Sequence, residues 1–293
     1  MSITVFITKL TKLTLLSLST IILLIFVTTF FCRKYITLEV PISKRTLIVG
    51  DSHTECSIND SIIPNCINLS QSGTGYFYTY VKLRSIINAN PQIDTVVVGY
   101  SYDDVSAQKD AWFWGDESIK FKLRNYFFMF DLEDYFSLFK SNPVSVIMNT
   151  PQVIFHNVKI LFYGISSLGG YLPLERNNLE ESIKRRRQES INENEFSPYQ
   201  RLYLLKIYEL CQSRKINLVL INPPIYPVLE QYQDVLKSKY YEFAKRELSN
   251  AILVNHSNVK IPENGFSDLS HLNKKGAAIY SNLLKRSGFG KEI

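Results

Sequence analysis

The sequence predicts an α/β domain with a central parallel sheet, and three observations carry that prediction. Short apolar runs suited to buried strands (Thr46 to Val49, Cys66 to Leu69, Asp94 to Gly99, Asn217 to Ile221 and Ala251 to Asn255) alternate with stretches of helical apolar spacing. Such alternation implies parallel pairing through right-handed crossovers. Of 293 residues, 45% are apolar and 20% charged, a composition neither disordered nor low-complexity and large enough for one sizeable core. Finally, the residues just past several strand ends carry reactive or small side chains, at the sheet edge where parallel sheets bind ligands.

The chain begins with a basic tail and an uncharged run of twenty residues, Leu13 to Cys32, rich in Leu, Ile, Phe and Val. As a helix this run spans about 30 Å, the thickness of a bilayer core, and it reads as a single-pass membrane anchor. A cleaved signal peptide fits less well, because its apolar region is only about 7–15 residues and small residues mark the cut, whereas this run ends Phe30-Phe31-Cys32-Arg33-Lys34. The net charge of +6 owes much to Lys9, Lys12, Arg33 and Lys34 around the anchor, so nucleic-acid binding is not expected. Residues 1–34 are read as tail and anchor, 35–45 as a short linker, and 46–293 as the α/β domain, with an insertion over 104–194.

Thr46 to Val49 runs directly into Gly50-Asp51-Ser52-His53. A strand that ends in a glycine and a serine reads as a sharp strand-to-helix turn that exposes the hydroxyl. The first amides of the following helix then face the place where negative charge develops in acyl transfer. A short helix is expected over Thr54 to Ile63. Serine is a weak nucleophile unless a base and an orienting acid stand nearby. Phe266-Ser267-Asp268-Leu269-Ser270-His271 supplies both: Asp268 and His271, three residues apart, can lie side by side, with one ring nitrogen left for a serine.

These two blocks, Gly50-Asp51-Ser52-His53 and Asp268-x-x-His271, resemble the first and last blocks of the SGNH (GDSL-like) hydrolase superfamily, over about Thr46 to Leu284. The histidine after the serine is similar to the branch that contains membrane-attached polysaccharide O-acetyltransferases. The resemblance implies a three-layer, flavodoxin-like fold, with Ser52 as nucleophile, His271 as general base and then acid, and Asp268 as the group that holds the imidazole. It also implies an oxyanion site made by the serine's amide, a glycine of a second block and an asparagine of a third. Asn68 to Gly75 offers Gly73, with Gly75 in reserve. Val96 to Asp104 has no asparagine, so Ser101 would have to substitute. The resemblance further implies a domain on the extracytoplasmic side of the cell membrane, an envelope polysaccharide or other acyl ester as substrate, and a membrane protein as acyl donor.

The remaining chemistry-bearing residues are weaker signals. His53 adjoins the nucleophile, but neighbouring side chains at a turn point apart, so it is expected to order the loop or contact substrate. His256 is the rival base, without an acid close in sequence to orient it. Asp51, His53, Asp268 and His271 are a thin metal-ligand set, and no metal or cofactor is expected. Cys56 and Cys66 are the one near pair for a disulfide, with buried thiols as the alternative. In the insertion, Ala111-Trp112-Phe113-Trp114 and Tyr126 to Phe130 read as an accessory helical layer over the sheet or as a lid or sugar-stacking wall. Lys184-Arg185-Arg186-Arg187, flanked by Glu180, Glu181 and Glu189, reads as a solvated, ion-paired helix. After it, the α/β rhythm returns with helices over Tyr199 to Cys211, Gln231 to Leu248 and Lys275 to Leu284. Three classes of function follow: an O-acyltransferase, an esterase with the same catalytic groups, and a scaffold or glycan-binding protein that keeps only the fold.

Overall fold

The computed structural model describes residues 3–165, 168–175, 178–188, 196–230 and 234–289, without the side chains of 186–188, 230, 234 and 235. Within these the strands are β1 (Thr46–Val49), β2 (Cys66–Asn68), β3 (Thr95–Gly99), β4 (Asn217–Asn222) and β5 (Ile252–Asn255). The helices are α1 (Ile3–Tyr35), α2 (Ser52–Ser57), α3 (Tyr76–Ala89), α4 (Ala111–Trp114), α5 (Asp116–Tyr126), α6 (Leu132–Ser141), α7 (Pro143–Asn149), α8 (Gln152–Tyr163), α9 (Leu179–Gln188), α10 (Pro198–Ser213), α11 (Pro227–Glu230), α12 (Asp234–Glu247) and α13 (Lys274–Arg286). The chain divides into two compact units: Leu38–Phe113 with Ser167–Ile293, and Met1–Thr37 with Trp114–Ser166.

The first unit holds a mixed succession of strands and helices around one parallel sheet, in the order β2-β1-β3-β4-β5. β1 and β3 are buried along their whole length. That is what continuous runs such as Thr-Leu-Ile-Val and Thr-Val-Val-Val need, since a parallel sheet is covered on both faces. The order reverses at β1, which sends its successor β2 to one side while β3 lies on the other. The crevice at the carboxyl ends of β1 and β3 is therefore where such a sheet receives a ligand.

Gly50 makes the turn out of β1 with φ +156°. A Cβ there would come within 2.5 Å of Thr54 Oγ1 and 3.1 Å of the Gly99 backbone, so a side chain would push β1 and β3 apart. α2 starts at Ser52, two residues before the expected start at Thr54, because the Asp51 carboxylate caps it by accepting from the His53 amide. It stops at Ser57, short of Ile63, because the Asn68 amide group donates to the carbonyls of Thr54 and Ile58 and the helix cannot continue past them. The linker is pinned as well: Asn90 donates to Leu38 O and accepts from the Val40 amide.

α13 closes the unit. Ala277, Tyr280, Ser281 and Leu284 recur at helical spacing and are buried, while Ser281 accepts from the Asn59 amide next to α2. Its first turn lies so close to the 3₁₀ turn Glu263–Gly265 that a Cβ on Gly276 would sit 2.1 Å from Gly265 O. The Asn273 side chain caps the helix by accepting from the Lys275 and Gly276 amides.

The second unit is helical. Asn157 of α8 is buried and donates to Thr28 and Thr29 of α1, and Arg33 donates to the carbonyls of Phe128 and Phe130. α6 carries a capping box between Asp131 and Asp134, and Asn142 caps α7 ahead of Pro143. The aromatic clusters of 104–194 part company. Tyr126, Phe128 and Phe130 are buried and leave no open ring face for a sugar. They count with α1, not with the sheet, whereas Trp112 and Phe113 count with the sheet. All four cysteines are free and buried, so of the two readings for Cys56 and Cys66 the buried thiols hold and the disulfide does not. In α9 Arg185 pairs with Glu181 one turn away. Glu189, the side chains of Arg186 and Arg187, the expected insertion end at Asn194 and the expected start of α12 at Gln231 lie outside the described residues.

The Gly276 contact predicts that G276A loses about 1–3 kcal/mol of stability, because the added carbon meets a backbone carbonyl that can move only with the turn. G170A, whose added carbon would have its nearest neighbour at 4.0 Å, stays near the parent. Denaturant unfolding of both variants checks this.

Candidate active site

Ser52 is the first residue of α2, so its amide has no acceptor within the helix and points outward with the helix dipole behind it. Its hydroxyl lies 2.8 Å from His271 Nε2. His271 Nδ1 lies 2.9 Å and 3.0 Å from the two Asp268 oxygens. Asp268 Oδ1 also accepts from the amides of Ser270 and His271. Burial would raise the Asp268 carboxyl, but the His271 ring and these two amides outweigh it and hold it below the ordinary carboxylate range. An ionised Asp268 accepts from Nδ1–H, which leaves the Nε2 lone pair to accept from Ser52. His271 and Asp268 are each about a quarter exposed, so the constellation is open to a substrate.

The loop that carries this pair is held by its own backbone. Ser267 N–H donates to His271 O, Phe266 and Leu272 form a bridge, and Asn273 donates to the carbonyls of Asn264 and Phe266. Asp268 and His271 are thus presented by a closed turn just ahead of α13.

The second block reaches the same edge. Gln71 N–H donates to Gly50 O, and Ser72 donates through its amide and its hydroxyl to Glu55 of α2. Gly73 follows with φ +62° and open space where a Cβ would project. Gly75, the reserve, caps α3 and packs against Gln200, which accepts from the Tyr76 amide. Lys82, buried and pushed down to about 7 by burial, donates to the carbonyls of Leu69 and Leu168 and fastens this block from below.

The third block differs from expectation. Ser101 is buried, its amide donates to Asp104 Oδ2 at 2.6 Å and its hydroxyl meets His53 Nδ1 at 2.9 Å. Both groups are engaged inside the protein, so Ser101 does not stand free in the place of the asparagine. It positions His53, whose ring lies 5.3 Å from that of His271 between centroids. His256, the rival base, bonds Tyr280 and has no carboxylate partner among the described residues.

A feature beyond the sequence reading lies behind this histidine. The Lys109 ammonium sits 3.3 Å from Asp51, 3.2 Å from Asp103 and 3.5 Å from Asp104, under the Trp112 ring at 3.8 Å. Burial opposes charge on each carboxyl. For Asp51 and Asp103 the attraction of His53 and Lys109 wins and both are lowered, while for Asp104 burial and the neighbouring Asp51 win and it is raised well above the ordinary value. Lys109 is raised by its three carboxylates against burial, and His53 is lowered by burial. Ligand atoms of Asp51, His53 and Asp104 lie within 4.8 Å of one another, a grouping with the chemistry to take a cation. Lys109 already places a positive charge against both carboxylates. Asp268 and His271, from the thin metal set considered above, are not in that group. The signal in the sequence was slight: Lys109 lies in a stretch without periodicity.

No curated protein matches the chain. A protein-family model matches residues 175–289, which contain Asp268 and His271 and not Ser52. Among solved structures, the chain is similar to a GDSL-like lipase from Bacteroides thetaiotaomicron VPI-5482, at 14% identity and TM-score 0.37, over 87% of this chain and 92% of that one. It is also similar to an acetyl xylan esterase from the rumen bacterium Butyrivibrio proteoclasticus, at 12% identity and TM-score 0.30, over 87% of this chain and 66% of that one. Likenesses this distant decide neither the family nor the chemistry of this chain.

Removing the buried cation has a directional consequence. K109M is expected to lose about 3–5 kcal/mol at neutral pH, because it leaves buried carboxylates uncompensated. Carboxyls held below their unfolded pKa stabilise the fold above that pKa and lose the effect as pH falls through the folded value. The deficit of K109M therefore shrinks as pH is lowered through the carboxylate range, which unfolding measured at several pH values tests.

Proposed function

We propose that the protein is a serine acyl-ester enzyme of the SGNH type, in which Ser52 attacks an acyl carbonyl, His271 takes its proton and Asp268 keeps the imidazole oriented. The observation that carries this reading is the hydrogen-bonded series Ser52 Oγ, His271 Nε2, His271 Nδ1, Asp268, joined across 219 residues of chain.

The steps follow from the proton positions. As the Ser52 oxygen bonds to the carbonyl carbon, its proton passes to His271 Nε2, and the imidazolium is stabilised by Asp268. Negative charge develops on the former carbonyl oxygen, next to the Ser52 amide at the start of α2 and the loop bearing Gly73. Collapse expels the leaving alcohol, which takes the proton from Nε2, and the acyl group remains on Ser52. A second hydroxyl, from water or from a sugar, then gives its proton to Nε2 as it attacks the acyl carbon, and the departing Ser52 oxygen takes that proton back from Nε2. Esterase and transferase differ only in that last nucleophile.

The finer reading is an O-acyltransferase, acetyl for preference, that acts on a cell-envelope polysaccharide. It is supported by the apolar α1, long enough to cross a bilayer. A domain on the extracytoplasmic side and a membrane protein as acyl donor complete this reading. A scaffold with weak chemistry is the second reading, favoured by the engagement of Ser101 with His53 and the absence of a third-block asparagine.

Full-length protein in detergent is expected to release acetate from an aryl acetate and to be labelled at Ser52 by a fluorophosphonate. S52A abolishes the label, and D268N lowers kcat on the order of ten-thousand-fold by releasing the wrong tautomer. Slow turnover that a glycan acceptor accelerates marks a transferase, fast turnover in water an esterase, and absence of labelling in the parent protein overturns the enzymatic reading in favour of the scaffold.

A further inference from the structure

The helical unit leaves large apolar side chains uncovered. Phe136 of α6, Ile147 and Met148 of α7, and Phe155, Phe162 and Tyr163 of α8 are between 59% and 83% exposed. The unit is not short of a core, since Ile119, Leu123, Leu138, Val146, Val153 and Ile160 are buried. A protein surrounded by water rarely leaves so much apolar surface open, and such surface marks a partner.

The position of α8 on α1 identifies the partner. Asn157 Nδ2 donates to Thr29 Oγ1 at 3.0 Å and to Thr28 Oγ1 at 3.3 Å, and Cys32 Sγ donates to Asn157 O at 3.4 Å. These α1 residues belong to the last turn of the apolar run Leu13 to Cys32, whose other side chains are largely exposed. At a rise of about 1.5 Å per residue, Thr28 lies about 6 Å inside the end of that run. A helix joined there lies at the depth where amphipathic helices rest, about 5–10 Å into the boundary between headgroups and acyl chains.

The side chains of α8 are arranged for that depth. Val153, Asn157 and Ile160 are buried on one side, Phe155, Val158 and Phe162 are exposed on the other, and the exposed Lys159 and Tyr163 flank that face with side chains that can reach back to the headgroups. Asn157 meets α1 by hydrogen bonds to threonine hydroxyls, the kind of contact that holds helices together where water is absent. Arg33 and Lys34 close the apolar run and mark the headgroup level. Arg33 is tied to the carbonyls of Phe128 and Phe130, just before α6.

We propose that α6, α7 and α8 are seated in one leaflet of the bilayer beside the last turns of α1, with their exposed apolar side chains among the acyl chains. The protein then holds the membrane by a helical foot in addition to its single span. This rests on α1 crossing the bilayer and is independent of the acyl chemistry.

The test uses the full chain in phospholipid nanodiscs. The four native cysteines are buried, so M148C, F155C and F162C can each carry a polarity-sensitive fluorophore, with L18C in α1 and K285C in α13 as reference positions. Labels at 148, 155 and 162 are expected to lose emission to lipids bearing a nitroxide just below the headgroup and to be shielded from iodide, as K285C is not. Iodide quenching at these positions without lipid quenching, while L18C is lipid-quenched, overturns the proposal and leaves the anchor standing. Failure of lipid quenching at L18C as well overturns it through the anchor itself. Shielding from both quenchers means that a second copy or another protein covers the face, which also overturns it.

Discussion

The constraint on which the candidate site depends is the seating of α13 against the loop after α2. Ser52 and His271 are 219 residues apart, and neither has a role without the other. Their 2.8 Å contact exists because Ser281 accepts from the Asn59 amide, because the first turn of α13 fits against Gly265 with no room for a Cβ, and because the turn that carries Asp268 and His271 is closed on itself. The elbow after β1 is equally tight, since Gly50, Thr54 and Gly99 meet where a side chain would not fit. Backbone contacts at both ends set a side-chain distance in the middle.

Behind the nucleophile the protein maintains an unusual concentration of buried charge. Lys109 lies among Asp51, Asp103 and Asp104, and Asp51 in turn caps α2 through the His53 amide. Burying such a group is costly unless its members compensate one another. Here compensation links three functions of the edge: the cap that starts α2, the Ser101–His53 contact, and the loop that follows β3. Ser101 sits between these parts, its amide on Asp104 and its hydroxyl on His53. That is why it is not available as a replacement for a third-block asparagine, and why His53 is the side chain this edge turns toward His271.

Much of the architecture was legible in the sequence because it is written in neighbouring residues. The five strands appear within a residue or two of their expected ends, since a run such as Val96-Val97-Val98 buried on both faces has few other uses. α3 and α10 appear close to where their apolar spacing placed them. The early start of α2 was missed because its cap depends on the rotamer of Asp51, and its early end because Asn68, distant in sequence, occupies its last carbonyls. For Tyr126 to Phe130 the sequence leaves open a layer over the sheet and a wall beside the site. Aromatic composition says that a segment will be buried and says nothing about which unit will bury it, and here it counts with α1.

By itself the sequence determined the strand and helix succession apart from α4 to α8, the glycine elbow that exposes Ser52, the apolar length of α1 and the short-range pairing of Asp268 with His271. Each of these is set by the period of apolar residues or by side chains within one turn of each other. Tertiary structure alone decided that the imidazole meets Ser52, that Ser101 is spent on His53, that Lys109 gathers three carboxylates, that Cys56 and Cys66 stay apart as thiols, and that Asn157 binds the end of α1. Those contacts join residues tens to hundreds of positions apart, where no local propensity acts and only the packing of whole elements fixes the distance.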